Sequence, residues 1–342
     1  MMAFTKINKN YFRIIFEVLI LCAGITLGLI INKPDEPQTI ESVRETSSSY
    51  KFINPLLFVK VPEDPADSEY SSLKKIIGQY VENVIDQKKV SEMSVYYRNL
   101  NTSQWISINP EETFYPASML KVATLISVLR VAESDPHLLS RTVSLNGDDS
   151  FLKEGQTKYQ SENPVKSGYS YTIKELVDRL AIDSDNAADN ALQNIVGENK
   201  ILKTYHDLKL PEPGPRSQGN TYTAREYSHL WRALYNGTYL SRTLSEQVLE
   251  LLSRTKFTQG LVAGVPADIV VSHKFGVRTV LTDNSSTSPL YRELHDCGIV
   301  YNKNAPYFIC VMTRGNDFDT LESVIKDISK ITWDHISNLN SQ

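Results

Sequence analysis

Three short stretches of this chain hold residue types that can do chemistry. The first is Ser118-Met119-Leu120-Lys121, at the head of the apolar run "SMLKVATLISVL". Residues i and i+3 share one face of a helix, so a hydroxyl and an amine are neighbours there. At a helix N-terminus, free backbone N–H groups and the macrodipole favour developing negative charge. An uncharged lysine beside the serine can take its proton, which is one way to activate a weak nucleophile. Taken alone, the pattern is far more readily an ordinary helix start. The second stretch is Ser184-Asp185-Asn186, in "AIDSDNAADNAL". These are common turn and cap residues. Their chemical reading gives Ser184 a proton-relay role toward a leaving group and Asn186 a substrate amide to hold. The third is His273-Lys274-Phe275-Gly276, in "IVVSHKFGV". Lys274 either faces solvent or brings an ammonium to a site. Gly276 would let a substrate backbone lie close against the strand.

The surrounding pattern predicts the elements that position them. Leu73, Ile76, Ile77, Tyr80, Val81, Val84 and Ile85 recur at helical spacing, so 68–87 reads as an amphipathic helix. "VSEMSVYYRNL" and "SQWISIN" read as a hairpin. The helix over 118–133 is apolar on nearly every face, which predicts a central, buried position. "TIKE" at 172–175 and "TARE" at 223–226 are capping boxes that open helices. "AADNALQNIV" and "LSEQVLELLSR" read as two more helices. Strands return in "ADIVVSHKFGV", "RELHDCGIVY" and "PYFICVMT", and a last helix covers about 319–337. The order predicts an α+β fold. One sheet is split in sequence by a helical insertion and flanked by the N- and C-terminal helices.

The formal net charge of −4 and the lack of a Lys/Arg run with interleaved aromatics argue against nucleic-acid binding. Three cysteines show no zinc-ligand spacing, and six scattered histidines form no H-x-H or H-E-x-x-H pattern. A metal-dependent site would need His273 and His295 to approach each other on adjacent strands. Cys297 and Cys310 flank "GIVYNKNAPYFI". A turn centred on Lys303 and Asn304 would place them face to face, either as a disulfide in an oxidising compartment or as two small buried residues.

Residues 14–31, "IIFEVLILCAGITLGLII", are apolar apart from Glu17, and Lys6, Lys9 and Arg13 precede them. The length suits a membrane-spanning helix, and the positive-inside rule exports the remainder of the chain. The expected organisation is a cytoplasmic stub and single-pass anchor over 1–31, an extracytoplasmic linker over 32–67, and one domain over 68–342. The linker is rich in Pro, Glu and Ser, and "YKFINPLLFV" interrupts it and is expected to pack on the domain.

Together and in this order, S-x-x-K, S-D-N and a K-x-G stretch resemble the motif set of class A β-lactamases and penicillin-binding proteins. The resemblance is strongest to the class A branch and covers residues 68–338. "YTIKELVDRLAIDSDNAADNAL" and "NTYTAREYSHLWRALYNGTYLS" are similar to that family's segments around S-D-N and after its Ω-loop. The resemblance implies a β-lactamase-like serine hydrolase that takes a β-lactam or a peptidoglycan D-alanyl peptide and needs no cofactor. Ser118 would form the acyl-enzyme, Lys121 would be the general base or its partner, and Ser184 and Lys274 would complete the catalytic set. Asn186 and Gly276 would bind substrate, and the backbone N–H groups of Ser118 and Val277 would form the oxyanion hole.

Two departures stand against this pattern. The family's E-x-x-L-N deacylation motif is absent. The matching loop, "LKLPEPGPRSQGN", holds Glu212 as its one carboxylate. K-T-G has become K-F-G, and Phe275 cannot donate the hydrogen bond that the family's hydroxyl gives the substrate carboxylate. Arg278 on the same strand could replace it electrostatically. The alternative reading is a weak or inactive β-lactamase-like module that binds cell-wall peptide or a protein partner.

Overall fold

The structure is a computed structural model that describes residues 41–45, 50–60, 70–146, 158–159, 161–212, 221–281 and 289–339, together with Phe16, Val18 and Leu19. Almost all of the 14–31 stretch lies outside the described residues. Among those described, no helix is long and apolar enough to cross a membrane.

The domain is built on a five-stranded, wholly antiparallel sheet. Its strands are β3 (Glu92–Asn99), β4 (Trp105–Ile108), β7 (Val271–Leu281), β8 (Pro289–Val300) and β9 (Tyr307–Gly315), in the order β4-β3-β9-β8-β7. The side-chain period of two sorts each strand onto two buried faces. On β9, Tyr307, Ile309 and Val311 join one apolar cluster while Phe308, Cys310 and Met312 join the other. Burial on both faces explains why the strand reads as a nearly continuous apolar run.

The first face is covered by the two terminal helices, α1 (Ser71–Asp86) and α8 (Phe318–Leu339). Leu73, Ile77, Val81 and Val84 form the buried stripe of α1. Leu321, Val324, Ile325, Ile328 and Ile336 form that of α8. The second face carries the helical insertion. Its centre is α2 (Lys121–Ala132), in which every residue from Lys121 to Leu129 is buried. Around it lie α3 (Ile173–Ile182), α4 (Asn186–Val196), α5 (Glu198–Asp207), α6 (Ala224–Tyr235) and α7 (Arg242–Leu252). Both expected capping boxes form, Thr172 with Glu175 and Thr223 with Glu226. The result is the expected α+β arrangement of helix, sheet and helix layers.

The structure differs from the sequence reading in three elements. Helix α5 was not expected: it is largely polar and buries only Ile201, Thr204 and Tyr205. A short two-stranded ribbon of β5 (Thr142–Ser144) and β6 (Ser170–Thr172) was also missed. Part of the expected linker is ordered, because β1 (Glu41–Arg44) pairs with β2 (Leu56–Lys60). Between them Phe52 and Ile53 are buried against the domain, the packing expected of "YKFINPLLFV". The Glu246 carboxylate of α7 accepts hydrogen bonds from the successive N–H groups of Lys51, Phe52 and Ile53 at 2.6–3.0 Å. A carboxylate that collects three backbone donors fixes an extended segment which has no helix or sheet partner of its own.

Cys297 and Cys310 lie directly opposite each other on β8 and β9 and are disulfide-bonded. The register places the turn where Lys303 and Asn304 were expected to be its centre.

Candidate active site

Ser118 does not open an α-helix as expected. It sits in a single 3-10 turn, Ala117–Leu120, and the α-helix begins at Lys121. Ala117 has φ +50°, a left-handed conformation that a non-glycine residue adopts at a cost of about 1–3 kcal/mol. The neighbourhood clamps this turn residue by residue. Phe114 exchanges backbone hydrogen bonds with Tyr222 at 3.0 and 2.9 Å. His295 Nε2 lies 3.2 Å from the Tyr115 carbonyl oxygen, and its Nδ1 accepts from the Thr313 N–H at 3.2 Å. Burial pushes the His295 imidazolium down to about 3, so the ring is neutral at physiological pH. A neutral ring that accepts at Nδ1 carries its proton on Nε2 and donates it to Tyr115. The Tyr227 hydroxyl donates to the Met119 carbonyl at 2.9 Å.

Gly276 completes the clamp. A Cβ there would lie 2.3 Å from the Pro116 carbonyl oxygen and 2.9 Å from Met119 Cγ. The backbone lying closest to Gly276 is therefore the chain's own turn ahead of Ser118. Only glycine permits that approach.

Lys121 is 4 % exposed and Ser118 8 %. Lys121 Nζ lies 2.6 Å from Asn186 Oδ1 and 3.3 Å from Ser184 Oγ, and it also donates to the Ser184 carbonyl. Burial pushes the Lys121 ammonium down to about 8, against the opposing pull of Asp189 and Asp185. The three contacts suit both protonation states. An ammonium supplies three donors. A free amine supplies two and can accept the Ser184 hydroxyl proton. Ser184, like Ala117, is in the left-handed region, with φ +56°. Asp185 is occupied structurally: Oδ1 caps α4 through the Ala188 N–H, and Oδ2 accepts from the Val165 N–H, both at 2.9 Å.

Lys274 projects from the edge strand β7 onto the helical-insertion side, opposite Cys297. It is fully buried, and its Nζ has no hydrogen-bond partner among the described residues. Burial and the neighbouring charge of Lys121 hold it well below the ordinary lysine range. Phe275 and Val277 alternate onto the opposite face, within the terminal-helix cluster. Phe275 stacks on Phe257 at 4.5 Å and meets the Tyr159 ring edge-on at 5.7 Å. Val277 can thus act at the site only through its backbone. His273 shares that far face and pairs with Asp296 at 2.8 Å. It does not approach His295, whose strand position brings it to the other side. Among the described residues no group of three or more metal-ligating side chains converges.

Arg278 lies over the Tyr115 ring at 4.4 Å and 3.9 Å from the Glu293 carboxylate. Glu212 is exposed at the edge of a loop whose residues 213–220 lie outside those described. The structure therefore gathers Ser118, Lys121, Ser184 and Asn186 in one place. It brings Lys274 within electrostatic reach of Lys121 and seats Gly276 against the Ser118 turn. Sequence reasoning missed His295 and Tyr227 as holders of that turn. It also missed Asp189, although its spacing of three from Asn186 places both on one helix face.

Residues 76–336 match the model of the β-lactamase enzyme family. Beta-lactamase 1 of Bacillus cereus is 24 % identical over 328 residues, which cover 90 % of this chain and 92 % of that protein. Beta-lactamase VEB-1 of Pseudomonas aeruginosa is 21 % identical over 301 residues, covering 82 % and 95 %. Among solved structures, a PBP-A variant in an acyl-enzyme complex with penicillin G superposes with a TM-score of 0.63. It is 20 % identical and covers 82 % of this chain and 100 % of its own.

Proposed function

We propose that this chain, which belongs to the β-lactamase enzyme family and is a serine hydrolase of that type, is acylated at Ser118 by the amide of a β-lactam or of an acyl-D-alanyl peptide. The observation that carries this reading is Lys121. It is a buried amine poised near neutrality, three residues from Ser118 and in contact with both Ser184 and Asn186. Lys121 takes the Ser118 proton as the hydroxyl attacks the carbonyl carbon. Ser184, sharing a contact with Lys121, passes a proton to the leaving nitrogen. The contact of Gly276 with Pro116 draws β7 against the Ser118 turn, which supports the N–H groups of Ser118 and Val277 as the oxyanion hole. One such donor is worth about 10²–10³ in turnover. Arg278 provides positive charge for an anionic substrate group, the Lys274 amine donates hydrogen bonds to it, and Asn186 holds the substrate amide.

The apolar stretch at 14–31, preceded by Lys6, Lys9 and Arg13, supports a single-pass anchor with the domain outside the cytoplasm. The Cys297–Cys310 disulfide fits the oxidising conditions found there. The chain should accordingly fractionate with membranes, its domain open to external protease.

The deciding experiment compares the full-length chain with Ser118→Ala. Both are incubated with a chromogenic cephalosporin and a fluorescent penicillin and then weighed intact. Turnover that Ser118→Ala abolishes identifies a β-lactamase. A stable, Ser118-dependent adduct without turnover identifies a penicillin-binding peptidase. Neither adduct nor turnover would refute acylation by β-lactams and favour a module that only binds.

A further inference from the structure

The chain lacks the family's water-activating glutamate, and Glu212 lies exposed. Another carboxylate stands beside the lysine pair. Asp189 is on α4, one turn beyond Asn186, and residues i and i+3 share a helix face. Asn186 Oδ1 is itself 2.6 Å from Lys121 Nζ, so that face of α4 is turned to the site. Asp189 Oδ1 is buried, and no donor of the described residues reaches it. A buried, unpaired carboxylate oxygen typically costs about 1–3 kcal/mol or more. Capping of α4 does not require that cost, because Asp185 already performs it with both its oxygens engaged.

Asp189 is also the strongest carboxylate influence on Lys121, ahead of Asp185, and it acts on Lys274 as well. Lys274 Nζ is likewise buried and unpartnered among the described residues, so no direct hydrogen bond joins the two. A carboxylate and an amine that attract each other with no direct hydrogen bond can share a polar group between them.

We propose that Asp189 is the general base of deacylation, in place of the absent glutamate; this rests on acylation at Ser118. Asp189 removes one proton from a water whose oxygen adds to the acyl carbonyl carbon. Collapse of the adduct breaks the ester bond to Ser118 Oγ. The proton held on Asp189 passes to the neutral Lys121 amine, which delivers it to Ser118 Oγ. One water is consumed, and a free carboxylic acid and the Ser118 hydroxyl are restored.

The test is a single-turnover experiment on the full-length chain, its Asp189→Asn variant and its Asp189→Glu variant, with a fluorescent penicillin as the acyl donor. Adduct formation and decay are followed separately by intact mass. General-base assistance is worth about 10²–10⁴. At about pH 9.5, where Lys121 is almost wholly neutral with or without the Asp189 charge, Asp189→Asn should therefore acylate within about threefold of the parent and lose its adduct at least about 100-fold more slowly. Asp189→Glu should recover part of the decay rate. A merely structural role would slow both phases together and lower the melting temperature. Unchanged decay in Asp189→Asn overturns this inference alone, as does an adduct that persists unhydrolysed in the parent chain. Neither adduct nor turnover in the parent overturns the acylation reading, and this inference with it.

Discussion

The protonation of Lys121 offers the sharpest test of how the site works. Burial pushes its ammonium down to about 8 from an ordinary 10.5. If the free amine takes the Ser118 proton, acylation must track the neutral fraction of Lys121. That fraction is about 1 % at pH 6, about 10 % at pH 7 and about half at pH 8. The single-turnover acylation rate should therefore rise about 50-fold between pH 6 and pH 8, then only about twofold more by pH 10. A stopped-flow series with a fluorescent penicillin reads this directly. Lys121→Arg, which cannot deprotonate, should lose about 10²–10⁴ at every pH. A flat profile from pH 6 to pH 9 would remove Lys121 from the proton path. A profile still climbing tenfold per pH unit at 9.5 would show that the amine is not depressed at all.

The same property has a consequence for stability. Because the folded-state value lies below the unfolded one, the unfolded chain binds more protons between about pH 8 and 10.5. Stability attributable to Lys121 therefore rises with pH across that window and is least below pH 8. The difference between the two values corresponds to about 3 kcal/mol. Urea unfolding at pH 7.5 and 9.5 should show a gain in the parent chain that exceeds the gain in Lys121→Met by about 2 kcal/mol. Lys274 acts in the same sense and is coupled to Lys121, so both proteins carry Lys274→Met, which removes its contribution from the comparison.

The geometry dictates three more outcomes. Gly276→Ala must move Pro116, whose carbonyl oxygen is backbone and cannot swing aside. It should cost about 1–3 kcal/mol and at least about tenfold in acylation, read by urea unfolding and single-turnover labelling. Lys274→Met replaces a buried, unpartnered amine with an apolar chain of similar length. It should raise stability by about 1–3 kcal/mol while lowering acylation at least about 100-fold, a trade visible by comparing melting temperature with rate. Removing the disulfide with Cys297→Ala/Cys310→Ala opens a link spanning 13 positions, which chain entropy values at about 3 kcal/mol. That variant should melt lower yet still acylate, since Cys297 and Cys310 lie in the apolar core.

Much of this architecture was legible because local signals agreed with tertiary demand. Two capping boxes marked the starts of α3 and α6, and a turn centred on Lys303 and Asn304 placed Cys297 opposite Cys310, with a disulfide as one of two readings. The all-apolar helix after Lys121 read correctly as central. What failed depended on partners distant in sequence. Helix α5 has little apolar surface and is held by the packing of Ile201 and Tyr205. The segment between β1 and β2 is held by Glu246, roughly 200 residues away; the apolar "YKFINPLLFV" that contains most of β2 stood out from the linker, but nothing in the composition of Glu41–Arg44 marked it as a strand. The 3-10 turn at Ser118 was missed because its conformation is imposed from outside, by Gly276, Tyr227 and His295.

The parity of β7 changes what K-F-G means. Read as a string, Phe275 replaces a hydroxyl in the middle of the motif. On the strand, however, Lys274 and Gly276 face the helical insertion, while Phe275 faces the terminal helices among Phe257, Tyr159 and Val277. The substitution therefore adds aromatic packing behind the strand and leaves Lys274 and Gly276 where they are. What is lost is a polar contact at the strand edge. The adjoining position on the site face is Arg278, at the end of a ladder in which Arg278, Glu293, Arg314 and Glu92 alternate in sign across four strands. Arg314 holds the Glu293 carboxylate at 2.8 Å, whereas Arg278 is 3.9 Å away and partly exposed. Glu293 is thus already engaged by Arg314, and the Arg278 guanidinium, stacked on Tyr115, keeps donors for an incoming carboxylate. On the proposed reading, an anionic acyl donor would meet the Lys274 amine and the Arg278 guanidinium along one face of one strand. Phe275 contributes to the site only by packing that strand against the terminal-helix cluster.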